Sequence, residues 1–247
     1  MNLLRPFSLF LLLLTSNLTK IEAQKADSAT LRVLRIEAYL KDVASHPSKR
    51  LVNVNAIIPR LSADLKYATR NNFTGKRMYP ASLTTCYLRE EAAMALKAVS
   101  DSLSKIGFQL KIFDAYRPYA VTVRFWNLIK DERYVANPSK GSGHNRGIAV
   151  DLTLVEKNTG KEIDMGTEFD NFSIAAHHSY QDLKPVVLEN RKILQRVMEH
   201  FGFRSLETEW WHYSLPNPQA YDVLNISFKE LLEALAIQFN KRAPKIK

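Results

Sequence analysis

The stretch Ser142–Leu154, SGHNRGIAVDLTL, places a polar, glycine-containing turn directly before an apolar strand pattern. Alternate positions from 148 to 154 are large and apolar, whereas the positions between them are small or polar. Because successive side chains of a strand point to opposite faces, this alternation predicts a strand with one face in the core. Asp151 is then predicted on the opposite surface among small neighbours, where a loop around Gly143 can bend His144 back towards it.

A histidine and an aspartate supply one nitrogen and one oxygen ligand, and both suit zinc. Two ligands do not form a site, and a histidine in a turn is usually only a turn residue. A metal site at His144 and Asp151 therefore requires a further ligand from another part of the chain.

The stretch ETEWWHY, Glu207–Tyr213, offers that ligand. Glu209 and His212 are three positions apart, so they face opposite sides of a regular strand. If the chain bends at Glu209, then His212 completes three zinc ligands and Glu209 is the carboxylate that takes a proton from the attacking water. The alternative is a surface carboxylate at Glu209; the two tryptophans and Tyr213 are expected to pack in the core and the cleft wall.

A third stretch, DAYRP at Asp114–Pro118, ends a predicted strand. Pro118 restricts Arg117 to an extended backbone and so limits where its side chain can point. An arginine held in this way can stabilise the oxyanion that forms when water attacks a peptide carbonyl. The alternative is an arginine that serves only as a structural salt-bridge partner.

The pattern of the whole chain predicts an α+β fold with a small, mainly antiparallel sheet flanked by helices, because strands and helices do not alternate in a strict βαβ order. Helices are predicted at 89–106, 118–130, 186–201 and 227–239, the last with Ser227 as its N-cap. Strands are predicted from Phe108, at 147–155 and at 208–215, with a returning segment at 161–165.

The N-terminal segment 1–23 has one early basic residue, the apolar run Leu9–Leu14 and a polar end at Ala23, which is typical of a secretory signal peptide. The alternative is an uncleaved membrane anchor. An exported protein, periplasmic or secreted, is expected. The further organisation is predicted as an N-terminal helical extension at 24–50, a catalytic domain at 51–218 and a C-terminal helical extension at 219–247.

Composition narrows the function classes only slightly. The chain has 247 residues, 46% hydrophobic and 24% charged, as expected for one substantial globular domain. The net charge of +10 does not indicate nucleic acid as a partner, because lysines and arginines are scattered and no nucleic-acid motif accompanies them. Cys86 is the single cysteine, which excludes an intramolecular disulfide; a buried, inert thiol is expected.

Together the three stretches resemble the D-Ala-D-Ala metallopeptidase family, zinc enzymes that act on bacterial cell-wall peptides. The family pattern S-x-H-x(6)-D followed by E-x-W-H is similar to Ser142-x-His144-x(6)-Asp151 and Glu209-x-Trp211-His212. Four ordered blocks between about Leu51 and Pro218 resemble the D-alanyl-D-alanine dipeptidase branch, which includes enzymes of vancomycin resistance. These blocks are DLKYATRNNFTGK (64–76), FDAYRP (113–118), HNRGIAVDLTL (144–154) and DMGTEFDNF (164–172).

The resemblance implies a Hedgehog/DD-peptidase-like zinc peptidase fold with one Zn2+ per subunit. It implies hydrolysis of the small dipeptide D-alanyl-D-alanine to two D-alanines, in cell-wall metabolism or glycopeptide resistance. The residue roles that it implies are zinc ligation by His144, Asp151 and His212, general base and acid at Glu209, transition-state stabilisation by Arg117, capture of the substrate amino group by Asp170, and cleft lining by Tyr67 and Ser142.

Two alternatives stay open at this point. One is a related zinc carboxypeptidase or endopeptidase that trims peptidoglycan stem peptides. The other is a non-catalytic peptidoglycan-binding or metal-storage module. The sequence indicates neither the oligomeric state nor the physiological role.

Overall fold

The strand predicted around Asp151 lies at the centre of a five-stranded sheet in the computed structural model, which describes residues 31–242. The predicted signal segment 1–23 lies outside the described residues. The strands, in chain order, are β1 (Val33–Leu34), β2 (Leu51–Asn53), β3 (Ser62–Ala63), β4 (Tyr87–Arg89), β5 (Phe108–Asp114), β6 (Ala149–Glu156), β7 (Arg204–Leu206), β8 (Glu209–Ser214) and β9 (Val223–Leu224). The helices are α1 (Ile36–Ser45), α2 (Val54–Ile57), α3 (Glu90–Lys105), α4 (Tyr119–Ile129), α5 (Pro185–His200) and α6 (Phe228–Arg242).

The strand order of the sheet is β3-β5-β6-β8-β7. The short β3 runs parallel to β5, whereas the other three neighbouring pairs are antiparallel. Two smaller two-stranded sheets pair β2 with β4 and β1 with β9. The structure therefore confirms the predicted α+β class with a small, mainly antiparallel sheet.

The central strand β6 is buried on both faces, which corrects the prediction of an outer surface around Asp151. Ala149, Asp151 and Thr153 are each at most 3% exposed, as are the apolar residues that alternate with them. The alternation is real, but its second face forms the floor of a cleft because other segments fold over it. Arg117 and Trp211 are among the side chains that line this cleft with Asp151.

The helices predicted at 89–106, 118–130, 186–201 and 227–239 begin and end within one residue of the expected positions, except that α6 continues to Arg242. The short α2 was not predicted. Ser227 caps α6 in a reciprocal arrangement: its Oγ accepts from the backbone N–H of Glu230, and its own N–H donates to the Glu230 carboxylate at 2.8 Å. The predicted returning segment 161–165 is less regular than expected, because it pairs through a single bridge between Val155 and Glu162.

The segments on either side of 51–218 pack on the rest of the described chain and meet each other. β1 pairs with β9, and the Tyr39 hydroxyl of α1 accepts a hydrogen bond from the Leu51 backbone N–H at 2.6 Å. Phe228 and Leu231 of α6 are buried in the main hydrophobic core. The domain boundaries themselves stay predictions.

Cys86 is buried, and burial raises the pKa of its thiol to about 12. A thiol with that pKa holds its proton at neutral pH, which agrees with the expected inert side chain. Within residues 31–242, no helix has both the length and the apolar character needed to cross a membrane.

Candidate active site

The loop between His144 and Asp151 is shaped by two glycines that no other residue can replace without movement. Gly147 has a positive φ of 71°, and a Cβ there would lie 2.7 Å from Leu51 Cδ2. A Cβ at Gly143 would lie 2.8 Å from the Ala149 Cβ. This tight turn returns the His144 ring over the start of β6, where Asp151 stands on the cleft face.

His212 joins the pair from the neighbouring strand, since β6 and β8 place Asp151 directly opposite His212. His212 Nδ1 lies 2.9 Å from Asp151 Oδ1 and 3.2 Å from His144 Nε2. His144 Nε2 in turn lies 3.3 Å from Asp151 Oδ2. The three side chains converge within 4.8 Å of one another, so the structure brings together all three predicted metal ligands.

The spacing of this cluster fits a zinc ion. Ligand atoms about 2.0–2.2 Å from a tetrahedral ion lie roughly 3.3 Å from each other, which is close to the observed separations. His144 Nδ1 donates to the Ala115 carbonyl at 2.7 Å, which leaves Nε2 unprotonated in the neutral ring and turned towards the cluster. Two imidazole nitrogens and one carboxylate leave a fourth position for water or substrate.

Glu209 reaches the same centre because β8 is irregular where the sequence required a bend. Ser205 of β7 pairs with Tyr213, whereas the next residue, Leu206, pairs with Glu209, so the register shifts between them. Glu209 Oε2 consequently lies 3.9 Å from His212 Nδ1. Burial raises the pKa of the Glu209 carboxyl to about 7, which suits a group that accepts and returns a proton near neutral pH.

Arg117 is a buried salt-bridge partner that also lines the cleft. Its Nε and Nη2 donate to Asp114 Oδ2 at 2.9 and 2.7 Å, so it is a buried salt-bridge partner. Its Nη2 also lies 3.8 Å from Asp151 Oδ2, and the guanidinium stacks 4.9 Å from the Phe125 ring centroid. The salt bridge thus holds a rigid cation in the wall of the cleft, beside the metal-ligand cluster.

Asp170 lies in the loop between β6 and α5 and is held in an unusual state. Its backbone has a positive φ of 60°, and its Oδ1 accepts a hydrogen bond from the Tyr67 hydroxyl at 3.0 Å. Its Oδ2 is buried and has no hydrogen-bond partner among the described residues. Burial, reinforced by the Asp151 charge, raises the pKa of the Asp170 carboxyl well above its usual range. Asp170 therefore places one unsatisfied carboxyl oxygen in the cleft wall.

One cleft of about 490 Å3 contains every residue that the sequence analysis selected. These residues are Tyr67, Arg117, Ser142, His144, Asp151, Asp170, Glu209 and His212. Ser142 Oγ accepts the Asn145 backbone N–H at 3.1 Å, which leaves its own hydroxyl proton for the cleft. Aromatic rings of Phe73, Phe125 and Phe172 form an apolar wall.

Sequence reasoning assigned no role to three residues that support this site. Asp114 anchors Arg117, Tyr79 donates to Asp114 Oδ1 at 2.7 Å, and Asn145 bonds to the backbone of Arg117. The signal for Asp114 was present in the DAYRP stretch, where a carboxylate stands three residues before the arginine. Tyr79 and Asn145 had no such signal, because their contacts join segments distant in sequence.

Comparison with known proteins identifies a family and several similar sequences. The family model described as D-ala-D-ala dipeptidase matches residues 47–230. A D-alanyl-D-alanine dipeptidase of Escherichia coli (strain K12) is 38% identical over 179 residues, which cover 72% of this chain and 91% of that protein. One from Enterococcus faecalis (strain ATCC 700802 / V583) is 33% identical over 180 residues, covering 64% of this chain and 89% of that protein.

Among solved structures, a vancomycin-resistance D,D-dipeptidase in complex with a D-Ala-D-Ala phosphinate analog is more distant. It shares 18% identity at a TM-score of 0.36, over 64% of this chain and 63% of its own. The family match and the sequence relatives carry the assignment: this chain is a peptidase that belongs to the D-Ala-D-Ala dipeptidase family, Peptidase_M15.

Proposed function

We propose that this protein is a zinc-dependent dipeptidase that hydrolyses D-alanyl-D-alanine to two D-alanines. The observation that carries the proposal is the content of the cleft, where the three-ligand cluster, the partly buried Glu209 and an aspartate oxygen with no partner among the described residues line one cavity. A metal-storage module needs the ligands alone. A base beside them and a group for an amine are needed only for a reaction on a charged substrate.

His144 Nε2, Asp151 and His212 Nδ1 would hold the metal, and their spacing supports zinc. When bound there, zinc acts as a Lewis acid and lowers the pKa of a coordinated water. The Ala115 carbonyl fixes the His144 ring, and the pairing of β6 with β8 fixes Asp151 against His212. The protein therefore supplies ligands that are in place before the metal binds.

Glu209 removes a proton from the attacking water and later gives it to the leaving amine. In the metal-free protein, burial raises the pKa of this carboxyl to about 7, so the site makes Glu209 a stronger base than an ordinary glutamate. Arg117 stabilises the negative charge that develops on the scissile carbonyl oxygen, and Asp114 keeps the guanidinium in place while that charge forms.

The amine end of the substrate is recognised by Asp170. A free dipeptide carries an ammonium group, and this group can pair with the buried Asp170 Oδ2. A longer peptide presents a neutral amide at the same position and forfeits the charge-assisted bond between ammonium and carboxylate, at a cost of about 1–3 kcal/mol. That penalty favours a dipeptide over a stem peptide.

A related carboxypeptidase or endopeptidase that trims peptidoglycan stem peptides is the second enzyme candidate, since the zinc chemistry would be the same. Asp170 disfavours it for the reason just given. A non-catalytic peptidoglycan-binding module is disfavoured by Glu209, because a binding protein has no use for a proton acceptor beside an open metal position.

The deciding experiment measures D-alanine release by the zinc-loaded protein from three substrates. These are D-Ala-D-Ala, N-acetyl-D-Ala-D-Ala and a pentapeptide stem that ends in D-Ala-D-Ala. We expect rapid hydrolysis of the free dipeptide, at least about 100-fold less with the acetylated form, and loss of activity with a chelator that added zinc restores. Activity only on the pentapeptide would contradict the dipeptidase proposal.

We further propose an exported location, periplasmic or secreted, on the signal-like pattern of residues 1–23. Fractionation of cells that express the full chain tests this. N-terminal sequencing of the exported form should begin near Gln24, and retention of residues 1–23 would instead support a membrane anchor.

A further inference from the structure

Asn145, next to His144, is a completely buried amide whose hydrogen-bonding groups are all engaged. It is 0% exposed. Its side-chain Nδ2 donates to the Arg117 carbonyl at 2.9 Å and to Thr122 Oγ1 at 2.8 Å. Its Oδ1 accepts the Ser142 backbone N–H at 3.2 Å. A buried amide is costly unless it is satisfied in this way, so these bonds select asparagine at the position.

These bonds connect segments that carry different parts of the site. Ser142 belongs to the loop of His144, Arg117 is the candidate oxyanion-stabilising residue, and Thr122 lies in the first turns of α4. The Asn145 carbonyl also accepts the Leu224 N–H of β9 at 2.9 Å. One side chain therefore joins the metal-ligand loop to the turn that presents the arginine.

The backbone of Arg117 is held towards His144 at two points. The Arg117 N–H donates to the His144 carbonyl at 3.2 Å, and the Arg117 carbonyl accepts from Asn145. The guanidinium is anchored separately by Asp114, the last residue of β5, which pairs with Asp151 of β6. Asp114 therefore holds the arginine side chain from the sheet, whereas the Arg117 backbone beyond the end of β5 is bonded to the metal-ligand loop through His144 and Asn145.

We propose that Asn145 is a positioning residue that fixes the separation between the His144 loop and the Arg117 turn, so that Arg117 meets the developing oxyanion. This inference rests on the proposed function, since it requires Arg117 to act in the transition state. The required accuracy is high: a displacement of about 1 Å can reduce a rate about 100-fold. Asn145 touches neither substrate nor metal in this account and acts only through Arg117.

The test is a double-mutant cycle between Asn145→Ser and Arg117→Lys in the zinc-loaded full chain. Serine is smaller and retains one hydroxyl in place of the two amide N–H groups. We expect Asn145→Ser to lower kcat for D-Ala-D-Ala about 10- to 100-fold, with KM changed less than about threefold. Zinc content, measured by atomic absorption, should stay at one ion per chain.

The cycle separates positioning from general stabilisation. If Asn145 acts through Arg117, adding Asn145→Ser to Arg117→Lys should lower kcat by no more than about twofold further. Asn145→Ser should lower the affinity for a phosphinate transition-state analogue in proportion to kcat/KM. In the Arg117→Lys background, Asn145→Ser should cause no further loss of this affinity. Full multiplication of the two losses, or loss of zinc in Asn145→Ser, would overturn the inference.

Thr122→Val is the matched control. It removes the other bond of the same amide, keeps the side-chain volume and leaves the bond to Arg117, so kcat should change less than about threefold. A loss equal to that of Asn145→Ser would show that the amide only packs α4, and the inference would fail. If Asn145→Ser does not unfold cooperatively, Asn145→Asp takes its place in the cycle, because it keeps the shape and the acceptor for Ser142.

The two proposals fail in different ways. If Arg117→Lys leaves kcat unchanged, the role of Arg117 in the proposed function is wrong. If Arg117→Lys lowers kcat and Asn145→Ser adds its full effect on top, only the inference about Asn145 is wrong.

Discussion

The metal-ligand cluster and the Asp170 loop line the same cleft but are built in opposite ways. Asp151 and His212 are held by the paired strands β6 and β8, and His144 is held by its tight turn and the Ala115 carbonyl, with short polar distances of 2.7 to 3.3 Å. Asp170 belongs to a loop outside the strands and helices, has a left-handed backbone and keeps one buried oxygen without a partner among the described residues.

Under the proposed function, the difference would separate catalysis from recognition within one cleft. A cluster whose side chains are fixed by the surrounding backbone is ordered before its ligand arrives, so little conformational entropy is lost when a cation binds. An unpartnered buried carboxyl is unfavourable until a cation enters. The free energy gained when an ammonium group pairs with this carboxyl can therefore discriminate between substrates that have an amine and those that lack one.

The largest effect is expected for Glu209→Ala, which breaks the chemistry while leaving the cluster intact. We expect kcat for D-Ala-D-Ala to fall about 1,000- to 10,000-fold, because the proton acceptor is lost, with one zinc ion retained. Glu207→Ala is the control: Glu207 is exposed, lies in the same ETE stretch, and should change kcat less than about twofold. Unchanged turnover in Glu209→Ala would overturn the mechanism.

Asp151→Ala should damage the cluster itself. Loss of the carboxylate ligand leaves two imidazoles, and we expect the dissociation constant for zinc to rise by at least about 100-fold, with activity falling in parallel at limiting zinc. Competition with a chromogenic chelator measures this affinity. If Asp151→Ala binds zinc as tightly as the unaltered protein, then Asp151 is not a ligand.

Asp170→Asn tests the Asp170 loop, where we expect the substitution to reduce activity and to increase the stability of the protein. We expect kcat/KM for D-Ala-D-Ala to fall about 10- to 100-fold, since a charge-assisted bond to the ammonium is lost. The metal-free protein should become more stable by about 1 kcal/mol, a rise in Tm of about 2–4 °C, because asparagine tolerates the positive φ and needs no charge. A lower Tm would contradict the interpretation of Asp170 as an unfavourable buried acid.

The same residue predicts a pH dependence. Because the pKa of Asp170 is raised in the folded protein, the folded chain keeps a proton that the unfolded chain releases near pH 4. Its contribution to stability is thus lost as pH rises from about 4 towards the raised pKa. Denaturant titrations of the chelated protein across this range should show a decline that is smaller in Asp170→Asn.

The smallest effect is expected for Tyr67→Phe, which removes only the hydroxyl that donates to Asp170. We expect kcat/KM to fall about 3- to 10-fold, in line with the loss of one hydrogen bond to a carboxylate. Tyr119→Phe removes a hydroxyl that donates to the Pro138 carbonyl outside the cleft and should leave kcat/KM within about twofold. Equal effects of the two changes would exclude a specific role for Tyr67 at the amine end.

Much of the fold could be predicted because the signals are local. The periodicity of α3, α4 and α5 and the alternation of β6 depend on neighbouring residues, and these elements appear where expected. The short strands β1, β2, β4, β7 and β9 were not predicted, since two or three residues carry no recognisable period and pair only with distant segments.

The features of the site also fall into those that local sequence could predict and those that depend on contacts between distant segments. A bend at Glu209 could be stated as a condition, because Glu209 and His212 have the wrong spacing for one face of a strand. The register shift that meets this condition depends on how β7 pairs with β8. The burial of Glu209 and Asp170, and with it their raised pKa values, depends on segments that fold over the sheet.

The sequence by itself determined which groups are available: two histidines and an aspartate for a metal, a base, an arginine fixed before a proline, and an acid in the DMGTEFDNF block. Only the tertiary structure decided how these groups act, because distance, burial and partners are set by contacts between remote parts of the chain. Asp114 and Asn145 show this most clearly, because each is bonded to Arg117: Asp114 to its guanidinium and Asn145, from the loop before β6, to its backbone carbonyl.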